Sequence, residues 1–155
     1  MKKPMKRFLL FMTGIAMFGM MSSCKEEGPH EDNIVKFSAT INSAPTVPKS
    51  VSAAQGSGAF EYNKTTKELS YNISYKDITP ATVTINFANP GYERGAILFT
   101  LAGPTATQVV GKANQPLTAE QQAWLIQGLF YVNITTAQNI YGEIRGQILP
   151  DKISY

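Results

Sequence analysis

Between Ile34 and Leu149 the chain alternates apolar and polar residues, with turn signals spaced roughly every 8–12 residues. That period predicts short antiparallel strands closed into a sandwich or a barrel, because strands wetted on one face alternate whereas buried parallel strands read as continuous apolar runs. The alternation is cleanest over Glu68–Asp77, where Leu69, Tyr71, Ile73 and Tyr75 share one face and Ser70, Asn72, Ser74 and Lys76 the other. Ala81–Ala88 repeats it, with Val83, Ile85 and Phe87 directed to the core and Thr82, Thr84 and Asn86 to water. Ile34–Ile41 presents Val35, Phe37, Ala39 and Ile41 on one side. Gly58–Tyr62, Gly95–Leu101, Phe130–Thr135 and Gly142–Ile148 complete the set, with Thr105–Val110 as an eighth candidate. The polar Asn63–Lys67 predicts a hairpin between the second and third strands, while Pro80 and Asn89-Pro90-Gly91 bracket the fourth. Pro45–Gly58 is too long for a tight turn and is expected to cross between sheets or along an edge.

One helix interrupts this pattern. Thr118 suits the N-cap, Gln121 stands at capping-box spacing, Ala119–Leu125 holds good helix formers, and Gly128 suits the residue past the end. Trp124 and Leu125 are expected to plug one end of the strand assembly.

Charge divides the 155 residues in two. The net charge is +3, yet four cations (Lys2, Lys3, Lys6, Arg7) and all six methionines precede Cys24, while no acid precedes Glu26. From Cys24 onward 10 cations face 11 anions, a net of −1. Nucleic-acid binding through bulk positive charge is thereby excluded. Met1–Arg7 followed by the apolar run Phe8–Met21 has the form of an export signal, since a membrane-spanning helix needs about 20 apolar residues. Met21-Ser22-Ser23-Cys24 resembles the bacterial lipoprotein box, which implies lipidation at Cys24 and a membrane partner through the acyl chains. Lys25-Glu26-Glu27 resembles the Lys-acid-acid export tag of surface lipoproteins in the Bacteroidetes, which implies an outer-membrane or cell-surface location. The expected organisation is a signal peptide over residues 1–23, a polar tether over 24–33 that includes His30, a folded domain over 34–150 and a tail over 151–155.

Two segments carry a family resemblance. Phe130-Tyr131-Val132-Asn133, followed by Gly142-Glu143-Ile144-Arg145-Gly146-Gln147-Ile148, is similar to the ending of the chordin-type (CHRD) domain. Phe37-Ser38-Ala39, Val47-Pro48, Gly56-Ser57-Gly58-Ala59-Phe60, Leu69-Ser70-Tyr71 and Leu117-Thr118 fit its earlier rhythm. The resemblance implies an all-β, antiparallel, Greek-key-like sandwich of the superoxide dismutase type with one short helix. It also marks departures. The family's His-x-His, counted back ten residues from Gly95, falls on Ile85 and Phe87, and its Asn-Val-His-Thr reads here Asn133-Ile134-Thr135-Thr136.

The inventory of reactive side chains is short. The one Cys and the one His both precede the folded body, which excludes Ser/His/Asp and Cys/His nucleophile systems and leaves no imidazole or thiolate for Zn or Cu. No carboxylate spacing suggests a glycosidase pair. Loop acids such as Asp77 and Glu93 could bind a hard cation, but no Asp-rich calcium loop is present. No catalytic residue, metal site or cofactor is therefore expected. Glu143 and Arg145, two apart on one strand, share a face and are expected to form a structural ion pair. Tyr92, Tyr131 and Tyr141 are candidates for an exposed binding face, whereas Tyr62, Tyr71 and Tyr75 fall at core positions. The expected function is that of a non-enzymatic envelope lipoprotein with a binding or structural domain, whose partner is an extracellular protein or polysaccharide. The alternatives are a metal-dependent, superoxide dismutase-like enzyme and a carbohydrate-binding module.

Overall fold

The computed structural model describes residues 33–101 and 103–152. The signal peptide, Cys24, His30, most of the tether and the last three residues of the tail lie outside the described residues. Among the described residues the order is β1 (Ile34–Ile41), β2 (Gln55–Asn63), β3 (Leu69–Lys76), β4 (Thr82–Phe87), β5 (Ala96–Thr100), β6 (Gln108–Lys112), α1 (Ala119–Ile126), β7 (Phe130–Thr135), β8 (Ile144–Gln147) and β9 (Leu149–Pro150). Two antiparallel sheets result, a five-stranded one in the order β6-β3-β2-β1-β9 and a four-stranded one in the order β5-β4-β7-β8. The chain passes from the first sheet to the second after β3, returns for β6, and crosses again for β7.

The core lies between the sheets, where period-two alternation directs one side of every strand. Phe37 and Ile41 of β1, Phe60 of β2, Leu69 and Ile73 of β3, Ile85 of β4 and Phe130 and Ile134 of β7 are all at most 1% exposed. Tyr62, Tyr71 and Tyr75 are also buried, and the Tyr75 hydroxyl finds the Thr105 carbonyl at 2.8 Å. Burial pushes all three phenols above their ordinary pKa. The β2–β3 hairpin forms as the sequence predicts, with the Asn63 side chain accepting the Thr65 and Thr66 amides at 2.8 and 3.0 Å.

Helix α1 closes one end. Thr118 Oγ1 accepts the Gln121 amide at 3.2 Å, and Gln121 Oε1 accepts the Thr118 amide at 3.0 Å, a complete capping box. Leu117 and Leu125 fill the core below. Trp124 plugs less than expected, since it remains partly exposed and stacks on Phe87 with ring centroids 3.8 Å apart. The chain enters β1 at Ile34, opposite Asn63 and at this helix-capped end. It leaves at Asn42, whose backbone bonds to Arg145 in both directions, at 3.0 and 2.8 Å. Eight strand residues separate the two ends of the sandwich by about 23 Å at about 3.3 Å each.

Three expectations are corrected here. The segment after β1 crosses no sheet: it returns as β2 beside β1, and β2 begins at Gln55 rather than Gly58. The Gly142–Ile148 strand is shorter than expected, since β8 covers only Ile144–Gln147 and pairs with β7, while Leu149–Pro150 beyond it forms β9 against β1. Thr84 and Asn86, expected in water, are 4% and 5% exposed, so β4 is covered on both faces.

Candidate functional site

What covers β4 is the segment 88–95, which folds back over the outer face of the four-stranded sheet. Thr84 Oγ1 donates to Asn86 Oδ1 at 2.7 Å, and Asn86 Nδ2 donates to the Gly95 carbonyl at 3.4 Å. The Gly95 amide donates in turn to the Tyr131 hydroxyl at 2.9 Å. A register shift against β5 falls between Ile85 and Asn86, where this polar chain begins. Buried hydroxyl and amide groups at these positions are therefore partnered rather than orphaned.

Two arginine–tyrosine stacks sit on this covered face. Arg145 projects outward from β8, because its neighbours Ile144 and Gly146 face the core. Its guanidinium carbon lies 3.5 Å from the Tyr131 ring centroid, and Nη1 donates to the Glu93 carbonyl at 2.7 Å. Burial lowers the Arg145 pKa from its ordinary value and the adjacent Tyr131 opposes that, so the group stays cationic. Beside it, the Arg94 guanidinium lies 4.7 Å from the Tyr141 ring centroid. Asn133, opposite Arg145 on β7, ties the two stacks together by donating Nδ2 to the Tyr141 carbonyl at 3.0 Å. Among the described residues neither guanidinium has a carboxylate within ion-pair distance, and the salt bridge is Lys112–Glu68, on the other sheet.

The expected ion pair between Glu143 and Arg145 is not formed. Glu143 lies just before β8, and its carboxylate is turned to the loops at the end of the sandwich. Oε1 accepts from Ser52 Oγ at 2.7 Å, and Oε2 accepts from Thr136 Oγ1 at 2.7 Å and Asn139 Nδ2 at 3.1 Å. The Thr136 bond first, then Ser52, hold its pKa below the usual carboxylate range, against partial desolvation and with a smaller contribution from Asn139. A group depressed in the folded state stabilises above its unfolded pKa, and that stability is lost as pH falls through the folded pKa. Urea unfolding of wild type and Glu143→Gln from pH 7 to pH 3 is thus expected to show a wild-type advantage that shrinks with acidification. A constant gap would remove Glu143 as the cause.

The three candidate tyrosines divide. Tyr92 and Tyr141 are 70% and 56% exposed, as a binding face requires, but Tyr131 is 3% exposed and supports Arg145 from below. Asp77 lies with Glu143 beside a cleft of about 620 Å³, and Glu93 enters the site through its main-chain carbonyl. Among the described residues no three His, Cys, Asp or Glu side chains gather as a metal site. Ile85 faces the core and Phe87 meets Trp124, while Thr135 lies outward with its hydroxyl 2.7 Å from that of Thr82. These three positions fall on opposite faces of one sheet and make no common cluster.

Arg94, Asn133, Thr84 and Asn86 escape a linear reading of the sequence. The polar side of β4 looks like an ordinary wet face until the 88–95 segment is placed over it. The family model described as CHRD domain matches residues 37–148. No curated protein and no solved structure matches the chain significantly.

Proposed function

We propose that this chain, which belongs to the CHRD domain family, is a non-enzymatic lipoprotein of the cell envelope, anchored through acyl chains on Cys24 and exposed at the outer membrane or cell surface. Its β-sandwich is the binding or structural domain of that family. The observation that carries the binding reading is the pair of tyrosine-backed guanidiniums on the outer face of the four-stranded sheet. An arginine keeps its proton at physiological pH, so such a site attracts and orients a ligand without exchanging protons with it. Fixed, planar cations on rigid strands and a strap suit recognition.

The address rests on the basic start, the apolar run and the Ser22-Ser23-Cys24 box. No helix among the described residues is long and apolar enough to cross a membrane; in this reading the lipids on Cys24 hold the protein, and stable attachment needs more than one chain. Cells fed an alkyne analogue of palmitate are expected to label the wild-type protein and not Cys24→Ser. Labelling that survives the substitution would overturn the anchor. Trypsin added to intact cells is expected to remove the domain; protection until the outer membrane is broken would place it inside instead. A stoichiometric transition metal in the purified full chain, together with dismutase turnover, would replace the binding module by an enzyme.

A further inference from the structure

Resting on the binding-module reading, we propose that the Arg94–Arg145 face takes an acidic polysaccharide, whose carboxylate or sulfate groups meet the two guanidiniums while its sugar rings lie on Tyr92 and Tyr141. After Cys24 the chain has only two arginines, Arg94 and Arg145, against eight lysines, and both stand on this one face. That placement runs against bulk charge, since the same part of the chain carries a net charge of −1. Each guanidinium lies over a tyrosine ring, a contact that favours the cation and restricts where its donors can reach. Among the described residues one of their N–H donors is engaged, on the Glu93 carbonyl.

The Arg145 bond to the Glu93 carbonyl brings the next residue, Arg94, to the same face, and an anion there is attracted by both cations. Glu93 is the nearest acid in sequence, yet its carboxylate makes no ion pair with either arginine. Glu143 is already committed to Ser52, Thr136 and Asn139. An anion from outside therefore meets no competing carboxylate of the protein, and a forked guanidinium selects carboxylate or sulfate oxygens in pairs. The exposed rings of Tyr92 and Tyr141 supply what a small anion would not need. A ring face carries negative quadrupole density, which meets the weakly positive C–H hydrogens of a pyranose face.

Tyr92 and Tyr141 stand exposed on this face, and neither the cleft near Glu143 nor the Gln55–Ser74 groove of the other sheet is lined by Arg94 or Arg145. An open face of this kind fits a polymer lying across it better than an enclosed metabolite. Anionic headgroups of the cell's own membrane are the other source of such groups, which the vesicle arm below distinguishes. The tether joins at Ile34, at the helix-capped end, while Tyr141 lies in the connection after β7 at the opposite end.

Affinity electrophoresis of the full chain in a non-ionic detergent tests this, with polygalacturonate or heparin cast into the gel and dextran as the neutral comparison. Retardation is expected in both acidic gels, to be absent in dextran, and to weaken with added salt. Arg94→Ala and Tyr92→Ala, both at exposed positions, are expected to raise the dissociation constant about tenfold each, as loss of one charge-assisted bond or one stacked ring would. Lys36→Ala, on the outer face of the other sheet, is expected to bind as wild type. Circular dichroism melts of the same variants show that the fold persists. Equal retardation by polyglutamate, or binding to anionic lipid vesicles without binding to polyuronate, would overturn the sugar assignment. Retardation unchanged in Arg94→Ala would overturn the site. A negative gel from protein that is acylated at Cys24 and shows no turnover removes the ligand and leaves the anchored domain standing.

Discussion

Arg145→Ala is expected to lower the melting temperature by roughly 8–15 °C, the result of losing about 2–4 kcal/mol. The guanidinium lies over Tyr131, its carbon 3.5 Å from the ring centroid, and covers a residue that is 3% exposed. A desolvated cation–π contact contributes about 2 kcal/mol, and the charge-assisted bond to the Glu93 carbonyl contributes about 1.5–3 kcal/mol before overlap between the two is discounted. Removing the side chain wets the Tyr131 ring and releases the 88–95 segment from β8. That segment covers Thr84 and Asn86, so the loss spreads beyond one contact. Arg145→Lys is expected to recover less than half, because an ammonium carries the charge but cannot lie flat on the ring. The variants are compared by thermal melts followed by far-ultraviolet circular dichroism. A melt within 2 °C or so of wild type, on a scale where one kcal/mol moves a domain of this size by about 4 °C, would make the stack a surface ornament.

Gly146→Val is expected to be more damaging still, with a loss of about 3 kcal/mol or more and little soluble protein at 37 °C. Gly146 faces inward on β8, opposite Val132, at the edge where the four-stranded sheet meets β1 of the other. A Cβ there would overlap the Thr40 carbonyl oxygen and come within 2.8 Å of Ile41 Cγ1. Backbone cannot step aside as a flexible side chain can, and the Asn42–Arg145 bonds pin the two strands together on the next residues. Even Gly146→Ala is expected to cost about 1–3 kcal/mol by overpacking. Urea titration compares midpoints, and a midpoint equal to that of wild type would show that the sheets separate freely at this edge. The glycine allows the sandwich to close on its open side, so the position that holds Arg145 in place depends on its neighbour having no side chain.

The two predictions separate adjacent residues of one short strand by their physics. Arg145 acts outward through a ring and a carbonyl, Gly146 inward through the volume it leaves empty. Glu143, two residues from Arg145, acts on neither. Its three acceptor bonds tie the long β1–β2 connection, through Ser52, to the β7–β8 connection, through Thr136 and Asn139. A linear sequence presents Glu143 and Arg145 as a pair because alternation puts them on the same side. The chain defeats that inference by starting β8 only at Ile144.

Local periodicity settled β1, β3, β4, β7 and the helix without help from the fold. The alternation in β1, β3 and β7, the hairpin at Asn63 and the capping box at Thr118 depend on residues within a few positions of one another, and such terms act wherever the segment lies. The division into a basic leader and a nearly neutral body is likewise a property of residue order alone. Tertiary contact decided the rest. Whether Thr84 and Asn86 meet water depends on where residues 88–95 go, whether Tyr131 is a platform or a buried support depends on Arg145, and whether Arg94 matters depends on Tyr141, 47 residues away. Each of these joins segments that no pattern window spans, and the binding face exists only once β4, β7, β8 and the strap are brought together.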